Sequence, residues 1–239
     1  MTYSAILFMC NDYKRAEFVI EGFTKHNPDI ALAVYNGGEP ARDLPERFNI
    51  DYREGPNMWE DITRNPPGSF NYQWYEYMFT EGLKMTTDHL IYLETDVQCN
   101  RKLKVDPIWD LSGPITTCGP NCSIVAYDFW GSYLHDRFGE QKLDFPVKTH
   151  TGMGATAFSK NFFEKAYKNL KYVKLAQEKI PFSFYCDLMM TLLARFSGCS
   201  YGDWSEVSDT RGMIRKLSDD QWYHDSCTYT EALVHGVKI

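Results

Sequence analysis

Two carboxylates, two residues apart, close an apolar run in Leu90-Ile91-Tyr92-Leu93-Glu94-Thr95-Asp96-Val97. A buried strand would fix their backbone, and the break after it lets both side chains approach one ion. Hard divalent cations such as Mg²⁺ or Mn²⁺ take oxygen ligands and share them with substrate phosphates. The same residues suit a solvated turn after a strand, so the tripeptide alone leaves both readings open. Near the other end, Val234-His235-Gly236-Val237-Lys238 sets an imidazole after a short apolar run and an ammonium three residues on. A neutral imidazole suits Mn²⁺ and a lysine neutralises phosphate charge. A surface histidine in a frayed tail is the plainer alternative.

Two further segments carry candidate groups. Asp187, in Phe184-Tyr185-Cys186-Asp187-Leu188-Met189, stands at the start of an apolar helix, where the helix dipole alone favours an acid. Thr149 to Lys160 contains Gly152-x-Gly154-x-x-Ala157. It lacks the preceding strand and the ribose-binding acid of a dinucleotide fingerprint, so that reading is rejected. A tight turn against a sheet remains open for it.

Elements that could position these groups follow from periodicity. A buried strand runs from Ser4 to Met9, then a helix from Asp12 to about Lys25 with Ala16, Val19, Ile20 and Phe23 on one face. Strands at Ile30 to Tyr35 and Asn49 to Arg53 follow, then a Pro/Gly/Asn-rich loop to Ser69. An aromatic helix spans Phe70 to Met85, and a strand spans His89 to Leu93. This alternation indicates an α/β domain with a mainly parallel sheet, whose ligands bind beyond the C-terminal strand ends. That rule points to Phe8, Met9, Cys10, Asn11 and Asp12, with Arg15 nearby, to Tyr35 and Asn36, and to Glu94-Thr95-Asp96. Arg64, in the loop before the aromatic helix, could reach a phosphate or a base. Further on, one or two strands fall within Pro114 to Tyr127. A strand from Gly152 to Phe158 leads into a helix near Ser159, a helix spans Phe184 to Phe196, and a short strand covers Trp204 to Val207.

Composition narrows the classes. The chain has 239 residues, enough for a sizeable core, with 44% apolar and 24% charged residues. A net charge of -7 argues against a nucleic-acid partner. Seven cysteines without a Cys-x-x-Cys pair read as free thiols of a reducing compartment. The apolar start is too short to span a membrane and lacks a basic leader. A cytoplasmic protein is expected, with the Asn121-Cys122-Ser123 sequon unglycosylated.

A hydrophobic strand ending in Asp-x-Asp, or a variant such as Glu-x-Asp, resembles the GT-A-type glycosyltransferases. The resemblance implies one GT-A-like domain over 1–239, with a Rossmann-type, mixed but mostly parallel sheet flanked by helices. Its nucleotide-binding half would be about 1–100 and its acceptor half about 101–239. It implies Mn²⁺ or Mg²⁺ held by Asp96, Glu94 and His235. Glu94 would touch the ion, its water or the ribose, Thr95 would lie beside the nucleotide, and Lys238 would hold the diphosphate. His150, Thr151 and Gly152 would be exposed and line the donor sugar and acceptor. Asp187 would be the general base of an inverting member. The donor would be a UDP-sugar and the acceptor a glycan or other hydroxyl compound. The aromatic-rich, cysteine-bearing composition without a signal also resembles glycosyltransferase domains of large DNA viruses. The end of the chain just after the His235 motif suggests a domain cut at its natural edge from a longer polypeptide. A sugar-phosphate nucleotidyltransferase shares the broad fold, but its Gly-rich, Arg-bearing first loop is missing here. A noncatalytic nucleotide- or carbohydrate-binding domain is the rival from another class.

Overall fold

The computed structural model describes residues 1–58, 71–117, 127–140, 149–152, 154–179, 186–209 and 231–235. Its centre is a seven-stranded sheet. Five of its strands have four residues or more: β1 (Tyr3–Met9), β2 (Ala31–Asn36), β3 (Asp51–Glu54), β4 (His89–Leu93) and β9 (Ala155–Ser159). Two short strands, β6 (Leu111–Gly113) and β10 (Tyr201–Asp203), complete the order β10-β6-β9-β4-β1-β2-β3. All neighbours pair parallel except β9, which is antiparallel to both β4 and β6. The mainly parallel sheet expected from the strand–helix alternation, mixed as the resemblance implies, is therefore present.

Helices cover both faces. On one face, α1 (Tyr13–His26) buries Ala16, Val19, Ile20 and Phe23, the stripe read from the sequence. On the other lie α3 (Tyr72–Lys84), α5 (Lys160–Ala166), α6 (Leu170–Lys179) and α7 (Cys186–Phe196), while α2 (Leu44–Arg47) and α4 (Leu134–Phe138) are single turns. Asn71 caps α3 by accepting from the Trp74 amide, and Ser159 caps α5 by accepting from the Phe162 amide at 3.0 Å. Both caps satisfy an otherwise orphaned donor. Gly82 on α3 lies against the Phe163 ring, where any Cβ would overlap it, so α3 and α5 pack closely. Each fully buried Phe, Leu or Ile of these faces contributes roughly 1.5–3 kcal/mol.

The antiparallel β9 is held by a polar hub at its far end. Asp110 accepts from Ser159 Oγ at 2.9 Å, Asn161 Nδ2 at 2.7 Å, and the amide and hydroxyl of Ser200 at 2.9 and 3.0 Å. Burial alone would raise the pKa of this carboxyl, but the hydrogen bonds outweigh it and hold it below its ordinary value.

Two small ladders flank the C-terminal edge of the sheet. In one, β12 (Leu233–His235) pairs with β11 (Val207–Asp209) in parallel and with β5 (Val97–Cys99) antiparallel. In the other, β7 (Ile115–Thr117) pairs with β8 (Thr149–Thr151). The strand expected over Trp204 to Val207 is corrected: Trp204, Ser205 and Glu206 form the turn between β10 and β11. Trp204 is buried there and Glu206 accepts from Arg101 and from the Val105 amide, contacts that favour a fixed corner over an extended run. No helix among the described residues is long and apolar enough to cross a membrane.

Candidate metal centre

Glu94 and Asp96 follow β4 directly, so their backbone is fixed by a strand whose five residues are all buried. His235 comes from the distant β12, and its register opposite Val97 sets it beside Asp96. The three side chains converge. His235 Nε2 lies 3.1 Å from Glu94 Oε2 and 3.1 Å from Asp96 Oδ1, and the imidazole is fully buried. One ligand atom from each residue falls within 4.8 Å of the other two.

Gly154 makes this convergence possible. Its carbonyl accepts from the Glu94 amide at 3.1 Å, and a Cβ there would overlap the His235 ring. Because β9 runs antiparallel to β4, its start lies at the same sheet edge as the end of β4. Nothing in the spacing of Gly152 and Gly154 reveals that an imidazole some eighty residues later fills the space. Tyr92 is the other group that the sequence reading passed over: its hydroxyl donates to Glu94 Oε1 at 3.2 Å.

Cys10, Asp12, Arg15, Glu94, Thr95 and Asp96 line a cavity of about 230 Å³. Thr95 Oγ1 donates to Asp12 Oδ2 at 3.3 Å, and Arg15 lies 3.4 Å from the same oxygen. Both partners of that ion pair are about a third exposed, 36% and 37%, so its own contribution to stability is small. The cavity thus carries three carboxylates against one guanidinium. A larger hollow of about 670 Å³ lies at the opposite strand ends, but its Arg53 is already paired with Asp51 and Glu81 and it gathers no acid–imidazole group.

The donor set fits a divalent ion of the Mn²⁺ or Mg²⁺ type. Two carboxylate oxygens and an imidazole nitrogen supply half of an octahedral shell, and phosphates or waters commonly supply the rest. Neighbouring ligands of such an octahedral ion are about 3.0 Å apart. The 3.1 Å separations therefore need only small side-chain adjustments to enclose one.

A second acid–imidazole pair stands further along the same edge. His150 Nε2 on β8 is 3.4 Å from Asp187 Oδ2, in the first turn of α7. Asp187 Oδ1 accepts from the Leu188 amide at 2.9 Å. The Thr151 amide donates to Thr191 Oγ1 at 3.0 Å, so β8 and α7 are joined at two levels.

Other expected residues sit differently. Phe8, Met9 and Tyr35 are buried, 2%, 1% and 4% exposed, which leaves their backbone rather than their side chains toward the strand-end region. Phe8 and Tyr35 pack in an aromatic cluster with Tyr77, because the strand continues to its last residue and both sheet faces are covered. His150, Thr151 and Gly152 are also corrected, being buried rather than exposed, because β8 lies between β7 and α7. Asn11 takes a left-handed φ of 57° and its Oδ1 accepts from the Glu39 amide at 2.9 Å. Asn36 is fully buried, accepts from the Gly38 amide at 2.9 Å and donates to Tyr52 OH at 2.8 Å. The two asparagines brace the loops around the cavity. Arg64 and Lys238 lie outside the described residues, as do Gly236 and the Asn121-Cys122-Ser123 sequon.

No protein-family model matches the chain, and no curated protein matches its sequence. Solved structures do match its fold. The glycosyltransferase GlyE of Streptococcus pneumoniae TIGR4 aligns over all of this chain with a TM-score of 0.52 and 11% identity. The chain spans 55% of that protein's length. Core-mannan synthase A (CmsA/Ktr4) of Aspergillus fumigatus, solved in its Mn/GDP form, aligns over 86% of this chain and 73% of its own, with a TM-score of 0.57 and 10% identity. The fold is that of these glycosyltransferases.

Proposed function

We propose that this chain is a divalent-metal-dependent glycosyltransferase that moves a sugar from a nucleoside-diphosphate sugar to a hydroxyl of a glycan or similar acceptor. A UDP-sugar is the first donor to test, and the Mn/GDP form of the mannan synthase makes GDP-sugars the second. The observation that carries the reading is the convergence of Glu94, Asp96 and His235 at the C-terminal ends of the sheet in a fold shared with glycosyltransferases.

Glu94, Asp96 and His235 would hold the ion. Bound there, Mn²⁺ or Mg²⁺ supplies positive charge where the departing diphosphate becomes more negative. Arg15, at the cavity wall, is placed to add a guanidinium to the same anion. Asp12 and Thr95 fix the acidic tripeptide against the first strand end. Asp187 would take the proton of the attacking hydroxyl, with His150 steadying its second oxygen. Lys238 and Arg64 remain candidates for the phosphates.

The test is release of nucleoside diphosphate from a panel of UDP- and GDP-sugars, with Mn²⁺ and then with EDTA. Metal-dependent release by the wild type, lost in Asp96→Asn, is the expected outcome. Nucleotide binding that is equal with and without metal, and no release from any donor, would remove the proposal. Formation of nucleoside triphosphate and sugar 1-phosphate from the donor when pyrophosphate is added, in place of diphosphate release, would favour a nucleotidyltransferase.

A further inference from the structure

The two oxygens of Glu94 have different neighbours. Oε2 faces His235 Nε2 at 3.1 Å, on the side of Asp96. Oε1 accepts from Tyr92 OH at 3.2 Å. Tyr92 stands two residues earlier, and a two-residue step along a strand returns side chains to one face. Its ring is fully buried, 5.8 Å from Phe8 and 5.4 Å from Trp74, meeting the indole edge-on. The phenol therefore reaches Glu94 from the core and cannot follow it into the cavity. Turning both oxygens of Glu94 toward one ion would pull Oε1 from its place against this fixed phenol, at a cost in the hydrogen bond.

We propose that Tyr92 sets the ion preference of the centre. By holding Oε1 it presents Glu94 to a cation through one oxygen only. That suits Mn²⁺ and Mg²⁺, which are small and six-coordinate. It disfavours Ca²⁺, which takes six to eight oxygens and often binds a carboxylate through both. Tyr92 is thus a positioning residue acting through Glu94. The proposal rests on the metal reading above and adds to it a reason for discrimination between ions of equal charge. A phenol that merely completes the core would show no such discrimination. Its loss would weaken every ion alike or change stability alone.

The experiment measures Mn²⁺ and Ca²⁺ affinities of the full chain by calorimetry, with Mn²⁺ also counted from the electron paramagnetic resonance signal of the free ion. Wild type is compared with Tyr92→Phe, which keeps the ring and removes the hydroxyl. Tyr172→Phe is the control, since it removes a hydroxyl bonded to Glu140 in the same core cluster. The Ca²⁺-to-Mn²⁺ affinity ratio should rise about tenfold in Tyr92→Phe, the lower end of effects seen when a group orienting a metal ligand is lost. It should not move in Tyr172→Phe. Equal weakening of both ions, an unchanged ratio in Tyr92→Phe, or an equal rise in both variants overturns the proposal while leaving the metal reading in place. A wild type that binds neither ion removes the metal reading and this proposal together. Should Tyr92→Phe not fold, the infrared carboxylate stretches of the wild type, assigned against Glu94→Gln, decide instead. One-oxygen binding of Mn²⁺ by Glu94 upholds the proposal, and two-oxygen binding overturns it.

Discussion

The two acid–imidazole corners at the sheet edge differ in stoichiometry. At the first, His235 faces two carboxylates, Glu94 and Asp96, each 3.1 Å from one nitrogen. At the second, His150 faces one carboxylate, Asp187, at 3.4 Å. A single imidazole can neutralise one carboxylate by carrying a proton, so the second corner can balance itself. The first retains a negative charge even with a protonated imidazole, while Asp12 across the cavity is already paired with Arg15. Uncompensated charge in a partly buried corner is costly, so the first corner favours a cation from outside. Under the proposed function, this difference puts the metal at one corner and proton handling at the other.

The sharpest way to break this division is to remove one carboxylate from each corner. Asp187→Asn keeps the shape, and its side-chain oxygen can still accept from the Leu188 amide. Transfer should fall about 10²–10⁴-fold, the usual range for general acid–base groups. Mn²⁺ and donor affinity should stay within about twofold, since nothing at the metal corner is altered. Product stereochemistry by NMR must accompany the rates, because a retaining reaction needs no base here. Wild-type transfer rates in this variant would make Asp187 a helix-terminal carboxylate only.

Asp96→Asn should give the converse. Mn²⁺-dependent nucleotide affinity should drop about 100-fold, as expected when a charge-assisted contact of up to about 3 kcal/mol is lost. Melting temperature without metal should not fall, since the substitution relieves repulsion between Asp96 and Glu94. Calorimetry and a thermal melt check both halves. Retained metal dependence would move the ion away from this corner.

Gly154→Ala tests the same corner through shape rather than charge. The added methyl overlaps the His235 ring, so the imidazole must withdraw from Glu94 and Asp96. Mn²⁺ affinity should fall about 10-fold, with about 1–3 kcal/mol of destabilisation from overpacking. The His150–Asp187 corner should keep its pair. If affinity holds while stability drops, His235 is a packed core histidine and the ion rests on the two acids.

These contrasts also mark what the sequence could reveal. The first hundred residues read well because α1 and α3 are long enough to show the 3.6 period and β1, β2 and β4 are unbroken, mostly apolar runs, and the acids at the end of β4 follow from that. Asp187 was legible as a helix-start acid for the same reason. The strands β5, β6, β7, β8, β10, β11 and β12 have three residues each, too few to carry a period. The strand expected over Gly152 to Phe158 carried no sign of its antiparallel direction, because direction depends on where its neighbours come from. The overlap of Gly154 with His235 and the grip of Tyr92 on Glu94 are relations of shape, invisible until the chain is folded. The burial of the Phe8 and Tyr35 side chains at their strand ends was not legible because the helix that covers them, α3, lies well downstream.

The smallest expected effect separates the corners from the rest of the fold as pH changes. His89 opens β4, the strand whose far end delivers Glu94, and it is buried beside the Tyr3 ring. Burial pushes its pKa below the ordinary value, while Asp88, Asp106 and Asp110 pull weakly the other way. A histidine whose folded pKa is depressed takes up a proton more readily when unfolded. Its contribution to stability is therefore complete above the unfolded value, about 6.5, and is lost as pH falls through the folded one. The urea midpoint of the wild type should decline between about pH 7 and pH 5, a window set by that reference value. In His89→Phe, which keeps an aromatic ring in place, the decline should be shallower. Equal slopes would show that another group governs the change. Metal affinity must also depend on pH, because ligands bind deprotonated. Whatever pH dependence of Mn²⁺ affinity survives in His89→Phe belongs to the corners themselves. It should persist in Asp187→Asn and flatten in His235→Asn, which removes the imidazole that must be deprotonated to bind the ion, and so returns the test to the difference between the two corners.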